Sequence, residues 1–528
     1  MKQRWLIRLI LAGTALAALS GTALAEPPAR FAERVEALRR ATGVPGLAIA
    51  VVEKGRTTLA RGWGVRRLGS SQPVDADTIF PTGSTGKAFT VAALATLVDA
   101  GKIGWDDPVI DHLPWFRMYD PWVTREITIR DLLVHRSGLG LGQGDLLFVP
   151  RSNLSRREAV RRLRFLKPAT SFRSGYAYDN VLYMVAGQLI EEVTGQRWED
   201  YVRTAVLAPA GMARTTTESV TRFATPNRAQ PHARLNGGLR GAGDQIVLDE
   251  RDELAASAAP AGGLSSSAND LAKWLSLQLA QGRLPGGERL FSAATHAETW
   301  QPQVIQPISP LPASLALAQP AYSLYALGWD VEDYRGARIV WHGGAVFGFK
   351  AAVVLIPDRD VGFAITINSE DGELVRGLMH ELLDHYLGLP RVDWPARWIA
   401  YRRDAVEKAL ATLAKDRTAP VAVGPSLSLV RYAGTYSDPW YGDIVVAEGP
   451  DGLNIDFRST PRMTGRLEHY QYDSFVTRFE DPAIEPAFVT FALDAQGKVD
   501  RVTMKAVSPI ADFSWDYHDL LFTPTASQ

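Results

Sequence analysis

The stretch Pro81-Thr82-Gly83-Ser84-Thr85-Gly86-Lys87-Ala88-Phe89 decides how the rest of the chain is read. A serine stands three residues before a lysine. From Ser84 to Ala100 the residues favour a helix, with Phe89, Ala93, Leu94, Leu97 and Val98 along one side, and Gly101 stops it. Residues three apart on a helix share a face, so hydroxyl and amine point the same way. Ser84 falls at the helix N-terminus, where backbone N–H groups are free and the positive end of the dipole favours a developing oxyanion. A serine hydroxyl is a weak nucleophile and needs a neighbouring base and oxyanion donors. A lysine can be that base only if burial and cationic neighbours lower its pKa.

Ser-x-x-Lys alone is weak, and its company gives it weight. Tyr178-Asp179-Asn180 is the only Tyr-x-Asn in the chain, His342-Gly343-Gly344 the only His-x-Gly, and Ser84-Lys87 the only Ser-x-x-Lys. Taken singly they read as a buried tyrosine, a turn and a helix-surface pair. Together, in the order nucleophile, tyrosine, strand, they read as one site.

Outward from that site, residues 29 to 41 predict a helix, and Leu47 to Val52 with Thr57 to Val65 predict paired strands. Helical patterns dominate from about 105 to 290. Residues 301 to 320 hold five prolines and read as a long ordered loop or flap. Strands are predicted at Leu327 to Val331, Arg338 to Trp341, Ala351 to Ile356 and Val361 to Ile367, and a helix from Glu373 to Leu387. Helices around such strands suggest a covered sheet. After a charged helix in 391 to 425 only strand-like runs remain, separated by turns such as Asp451-Gly452 and Gln496-Gly497, which predict a small all-β sheet or barrel.

The 528 residues are 46% hydrophobic, enough for more than one domain. With 57 basic residues against 58 acidic there is no basic excess that would point to nucleic acid. No cysteine is present, which excludes disulfides, zinc thiolates and a cysteine nucleophile. Lys2, Arg4 and Arg8 precede an apolar run from Leu9 to about Leu19, and Ala23-Leu24-Ala25 follows. That pattern predicts an export signal cut after Ala25 and a periplasmic or secreted chain. The run falls short of a membrane span, and no later segment looks like one. Without residues 1–25 the chain carries 54 basic and 58 acidic residues, a charge of −4.

Other signals are set aside. His380-Glu381-Leu382-Leu383-Asp384-His385 looks like a zinc-peptidase helix, but histidines five apart lie about 140° apart around a helix and do not share a metal. No metal or cofactor is predicted. Gly138 to Gly144 alternates glycine without a strand–helix frame for a nucleotide. No Gly-x-Ser-x-Gly is present, which argues against an α/β-hydrolase elbow. Trp440, Tyr441 and Trp515 read as barrel core rather than a carbohydrate platform.

From about residue 30 to 388 the chain resembles the class C β-lactamase-like serine hydrolases, a family of D-alanyl-D-alanine carboxypeptidases, D-aminopeptidases and esterases. Beyond the three motifs, the resemblance rests on Gly101-Lys102-Ile103, Asp106-Asp107-Pro108-Val109, the run Ile129 to Leu139, Ala208-Pro209-Ala210-Gly211-Met212, Ala261-Gly262-Gly263-Leu264 and Leu327-Gly328-Trp329. It implies an α/β fold: an antiparallel sheet flanked by helices plus a helical subdomain, of the penicillin-binding-protein kind, followed by a small barrel-like β domain. The implied division is a signal at 1–25, a catalytic domain at 26–390, a helical linker at 391–425 and the β domain at 426–528.

The resemblance also implies roles. Ser84 attacks a carbonyl and is acylated, while Lys87 and Tyr178 share the proton work, either of them being the base. Asn180 binds the substrate amide or holds Lys87. His342 to Gly344 edge the cleft. Backbone N–H groups of Ser84 and Ala345 form the oxyanion hole, and Gln143 contacts substrate. His135 is structural. Relatives that act on terminal carboxylates usually carry lysine where this chain has His342, and histidine is mostly neutral at pH 7. Weakened carboxylate recognition is the expectation. The leading function is hydrolysis of amide bonds in small peptides. A carboxylesterase or β-lactamase on the same machinery, and an acylated penicillin-binding sensor with little turnover, stand as alternatives. The sequence leaves the oligomeric state open.

Overall fold

The computed structural model describes residues 27–252, 254–417 and 423–525. The predicted export signal, 1–25, lies outside them. Eight strands form one antiparallel sheet in the order Arg56–Gly64, Gly46–Glu53, Val361–Ile367, Phe349–Ile356, Ala337–Val346, Asp330–Tyr334, Ser323–Tyr325 and Val304–Ile305. Leu47 pairs with Ile367 and Glu53 with Val361, so strands from the beginning and the end of this half of the chain lie side by side, second and third from one edge of the sheet.

The strand Gly46–Glu53 is buried along its whole length. Successive residues point to opposite faces. Leu47, Ile49 and Val51 pack with Phe31 and Val35 of the helix Phe31–Thr42 and with Leu374, Leu378 and Leu382 of the helix Gly372–Leu387. Ala48, Ala50 and Val52 join the opposite layer, with Leu271 and Leu275 of the helix Ala268–Leu279 and with the helical region between 105 and 290.

Two expectations need correction, and the helical linker proves to be packed on the catalytic half. Leu327 to Val331 is not one strand: the chain turns at Gly328 (φ +72°) between Ser323–Tyr325 and Asp330–Tyr334. Its apolar look comes from burial of Leu327 and Trp329, since an apolar run signals burial whatever the backbone does. The proline-rich stretch is mostly irregular but supplies the edge strand Val304–Ile305. The linker is more than a tether. Its helix, Trp394–Arg417, lies against Gly372–Leu387, with Trp394 fully buried and Pro395 seated where Gly377 has no side chain.

The C-terminal part is a closed barrel of eight strands, from Gly434–Asp438 round to Leu521–Pro524. Its interior is filled by rings, Tyr441 against Phe457 at 5.6 Å and Tyr432 against Phe491 at 5.0 Å among them. It is a packed core, as expected for eight strands. The barrel is docked on the helical region: Asn153 N donates to Ser459 O at 3.0 Å, Arg162 donates to the carbonyls of Trp440 and Tyr441, and Arg462 pairs with Asp249 at 2.9 Å.

Candidate active site

Ser84 lies in a short 3-10 turn, Gly83–Gly86, and the α-helix proper starts at Lys87. A 3-10 turn eclipses residues three apart, and Lys87 Nζ donates to Ser84 Oγ at 3.1 Å. Nζ also donates to Asn180 Oδ1 at 2.7 Å and to Ala261 O at 3.0 Å, so all three ammonium donors are used. The nitrogen sits 4.7 Å over the Tyr178 ring and 5.0 Å over that of Tyr183. Lys87 is fully buried, and burial lowers its pKa to about 7. The expected cationic neighbours are not the cause. The charges acting on it belong to Asp145, Asp179 and Asp330, which pull the other way, so desolvation does the work.

Tyr178 presents its hydroxyl beside Ser84 without a formed hydrogen bond, and burial raises its pKa well above that of a free phenol. His135 packs against its ring at 4.2 Å, and the ring of His135 is held by the backbone N–H of Asp179 at 3.1 Å. Asn180 has both ends of its amide committed: the oxygen accepts from Lys87 and the nitrogen donates to Asp145 Oδ2 at 2.9 Å.

The strand Ala337–Val346 forms the opposite wall. His342 is buried, with Nε2 2.9 Å from the Tyr325 hydroxyl and Nδ1 2.6 Å from Gly343 O. Burial, and then the charge of Lys87, lowers its pKa to about 3, so it is neutral at pH 7. Gly83 (φ +54°) and Gly344 bring this strand against the nucleophile turn: a Cβ on Gly83 would meet the backbone of Ala345, and one on Gly344 would overlap the Thr82 carbonyl oxygen. Ser84, Gly344 and Ala345 therefore share one mouth.

Gln143 is not at that mouth. Its side chain accepts from Gly140 N and donates to Lys167 O, both at 2.9 Å, and so closes its own loop. The residue that serves the site from this loop is Asp145, two positions on. A lone acid before Leu146-Leu147-Phe148-Val149 was the available signal of a buried charge.

The cleft holds about 760 Å³, ample for a small peptide. Part of its wall comes from the barrel: Phe513, Ser514 and Trp515, in the loop before the last strand. Phe513 lies 5.8 Å from the Tyr178 ring, and Trp515 stacks on Phe347 at 5.6 Å. Trp440 and Tyr441 belong to the barrel core, whereas Trp515 is buried against the catalytic half and lines the cleft, which corrects its assignment. His380 spends Nδ1 on the Arg376 carbonyl of its own helix at 2.7 Å.

A family model described as Beta-lactamase matches residues 31–388, and one described as Domain of unknown function (DUF3471) matches 418–524. The unguisins hydrolase ungD' of Aspergillus campestris is 31% identical over 441 residues, covering 79% of this chain and 77% of that protein. Penicillin-binding protein 4 of Amycolatopsis lactamdurans is 29% identical over 379 residues, 68% of this chain and 89% of that one. The octameric penicillin-binding protein homologue from Pyrococcus abyssi superposes with a TM-score of 0.59 at 20% identity, covering 90% of this chain and 98% of that one. That last likeness concerns the fold.

Proposed function

The chain belongs to the beta-lactamase family, and from that premise we propose that it is an exported hydrolase that cleaves amide bonds of small peptides through an acyl-enzyme on Ser84. The observation that carries this is Lys87 Nζ, buried, at 3.1 Å from Ser84 Oγ. The hydrolase reading draws on the likeness to a protein named as an unguisins hydrolase, and the amide preference on the resemblance to peptidases of this family. Export draws on the pattern of residues 1–25. Among the described residues no helix is long and apolar enough to cross a membrane.

In this reading Lys87 is the base. Its pKa is brought down to about 7 while that of Tyr178 is driven up, so at neutral pH the amine can be free and the phenol stays protonated. Ser84 Oγ bonds to the carbonyl carbon as its proton passes to Lys87 Nζ. The carbonyl oxygen becomes an oxyanion facing the N–H groups of Ser84 and Ala345. The C–N bond breaks, and the leaving nitrogen takes a proton through the Tyr178 hydroxyl, which is replenished from Lys87. Water then adds to the ester carbon, gives a proton to the same pair, and Ser84 leaves reprotonated with release of the acid.

Only the free amine accepts the proton, so kcat/KM is expected to climb as pH rises through about 7 and to fall about tenfold per pH unit below it. A profile flat from pH 5 to 8 removes Lys87 as the base. Intact-mass measurement after a fluorophosphonate probe, with Ser84→Ala as control, tests the nucleophile. A panel of p-nitrophenyl esters, D- and L-amino-acid amides and a chromogenic cephalosporin tests the bond. Amides turned over best supports the proposal, whereas esters alone, or stable penicilloylation without turnover, overturns it.

The neutral His342 supplies no charge for a substrate carboxylate. His342→Lys is expected to raise kcat/KM for carboxylate-bearing substrates relative to matched uncharged amides, by about tenfold for one well-placed charge-assisted hydrogen bond. An unchanged ratio removes this account of specificity.

A further inference from the structure

This step rests on Ser84 as nucleophile and Lys87 as its base. Behind Lys87 a line of hydrogen bonds runs out of the catalytic half of the chain. Lys87 Nζ donates to Asn180 Oδ1 at 2.7 Å, and Asn180 Nδ2 donates to Asp145 Oδ2 at 2.9 Å. Ser514 Oγ, from the barrel loop, donates to the same carboxylate oxygen at 2.8 Å. Two residues on, Asp516 Oδ2 accepts from Gly144 N at 2.6 Å, so the barrel grips the backbone just before Asp145 as well as its side chain. Asp145 is fully buried, and its Oδ1 has no partner.

We propose that Asp145 and Ser514 are positioning residues that set the protonation of Lys87, making the C-terminal barrel a working part of the acid–base apparatus.

The physical case is electrostatic. Asp145 is the foremost charge acting on Lys87, and a carboxylate there favours the ammonium form. Burial pushes Asp145 itself up to about 7, against the donors Ser514 and Asn180, which favour its anion. Two groups that titrate in one range and feel each other share a proton as a pair. With Ser514 donating, the Asp145 anion is favoured and the shared proton is biased toward Lys87. Without it, Asp145 competes better for that proton and the amine is freer.

The other groups facing Lys87 are Asp179, Asp330, His135, His342 and the Tyr178 and Tyr183 rings. Those facing Asp145 are Asp512 and Asp516 of the barrel loop. Among these, Asp145 is the one joined to the lysine through a single amide and to the barrel through a hydroxyl.

The test is the rate of Ser84 labelling by a fluorophosphonate, in the full-length chain, between about pH 5 and 9. Wild type is compared with Asp145→Asn, Ser514→Ala and Ser514→Thr. Removing the carboxylate charge lowers the pKa of Lys87, so in Asp145→Asn the rise is expected to move to lower pH by about one unit or more. Ser514→Ala is expected to move it the same way by less, and Ser514→Thr to restore it. Slower labelling at every pH with the rise unmoved, in folded protein, reduces both residues to packing and overturns the proposal. If Asp145→Asn does not fold, Ser514→Ala decides by the same criterion. A wild-type chain that is unlabelled, or labelled at another residue, overturns the assignment of Ser84 and takes this inference with it. A wild type labelled at Ser84 whose variants keep its pH profile overturns this inference alone.

Discussion

Lys87→Met is expected to lower kcat/KM by about a thousandfold, within the 10²–10⁴ range of a lost general base. The loss should be similar for amide and ester substrates, because the same proton leaves Ser84 in both. Folding is expected to survive. Methionine nearly fills the space of the lysine stem and removes an amine that burial disfavours. Against this, the acceptors Asn180 Oδ1 and Ala261 O lose their donor, at about 1–3 kcal/mol apiece. A melting temperature shifted by several degrees, with the cleft intact, is the expected balance. Ser84→Ala and the double variant Ser84→Ala/Lys87→Met should be equally inactive, since groups that act as one unit are not additive. Steady-state kinetics with these three proteins checks it. Activity within tenfold of wild type in Lys87→Met would leave Ser84 with another activator and dismantle the site as built here.

What the sequence made legible and what it hid divides along contact range. Ser84 and Lys87 are three apart, so local spacing alone puts that pair together, while Tyr178 and Asn180 are simply near neighbours along the chain. The strand Gly46–Glu53, a continuous apolar run, and the helix Gly372–Leu387, with its apolar stripe, lie within a residue of where the sequence predicts them. Ser514 and Asp145 stand 369 positions apart. Nothing in the local pattern of either names the other, and a polar residue in a loop reads as solvated until its partner is known. Gln143 enters through the resemblance alone, while the carboxylate of Asp145 before an apolar run demands a partner that one sequence does not identify. Trp515 departs from its expected place in the barrel core for the same reason. An aromatic residue near the end of a β domain has its ordinary place in the core, and only the docking of the barrel turns it onto Phe347.

Gly344→Ala is expected to cost about a hundred- to a thousandfold in kcat, the range for loss of an oxyanion donor, although it removes no functional group. The reason is the contact between two bare backbones. The nucleophile turn reaches the strand Ala337–Val346 through Gly83, whose left-handed φ of +54° strains any other residue. A methyl group on Gly344 would overlap the Thr82 carbonyl, which is backbone and cannot rotate away as a side chain would. The strand and the turn must part, and the N–H groups of Ser84 and Ala345 part with them. The donors then no longer converge on one oxygen, which is the geometry electrostatic catalysis depends on. Lys87 is held by Asn180 and Ala261, away from this contact, so the rise in rate near pH 7 should stay where it is while its height falls. Gly343→Ala is the matched control. Its Cβ would meet only the Trp341 ring at an ordinary 3.6 Å, and a loss of at most a few fold is expected. Equal losses in the two variants would mean that the strand tolerates no side chain anywhere. Full activity in Gly344→Ala would show that the oxyanion is stabilised by donors other than the pair this contact brings together.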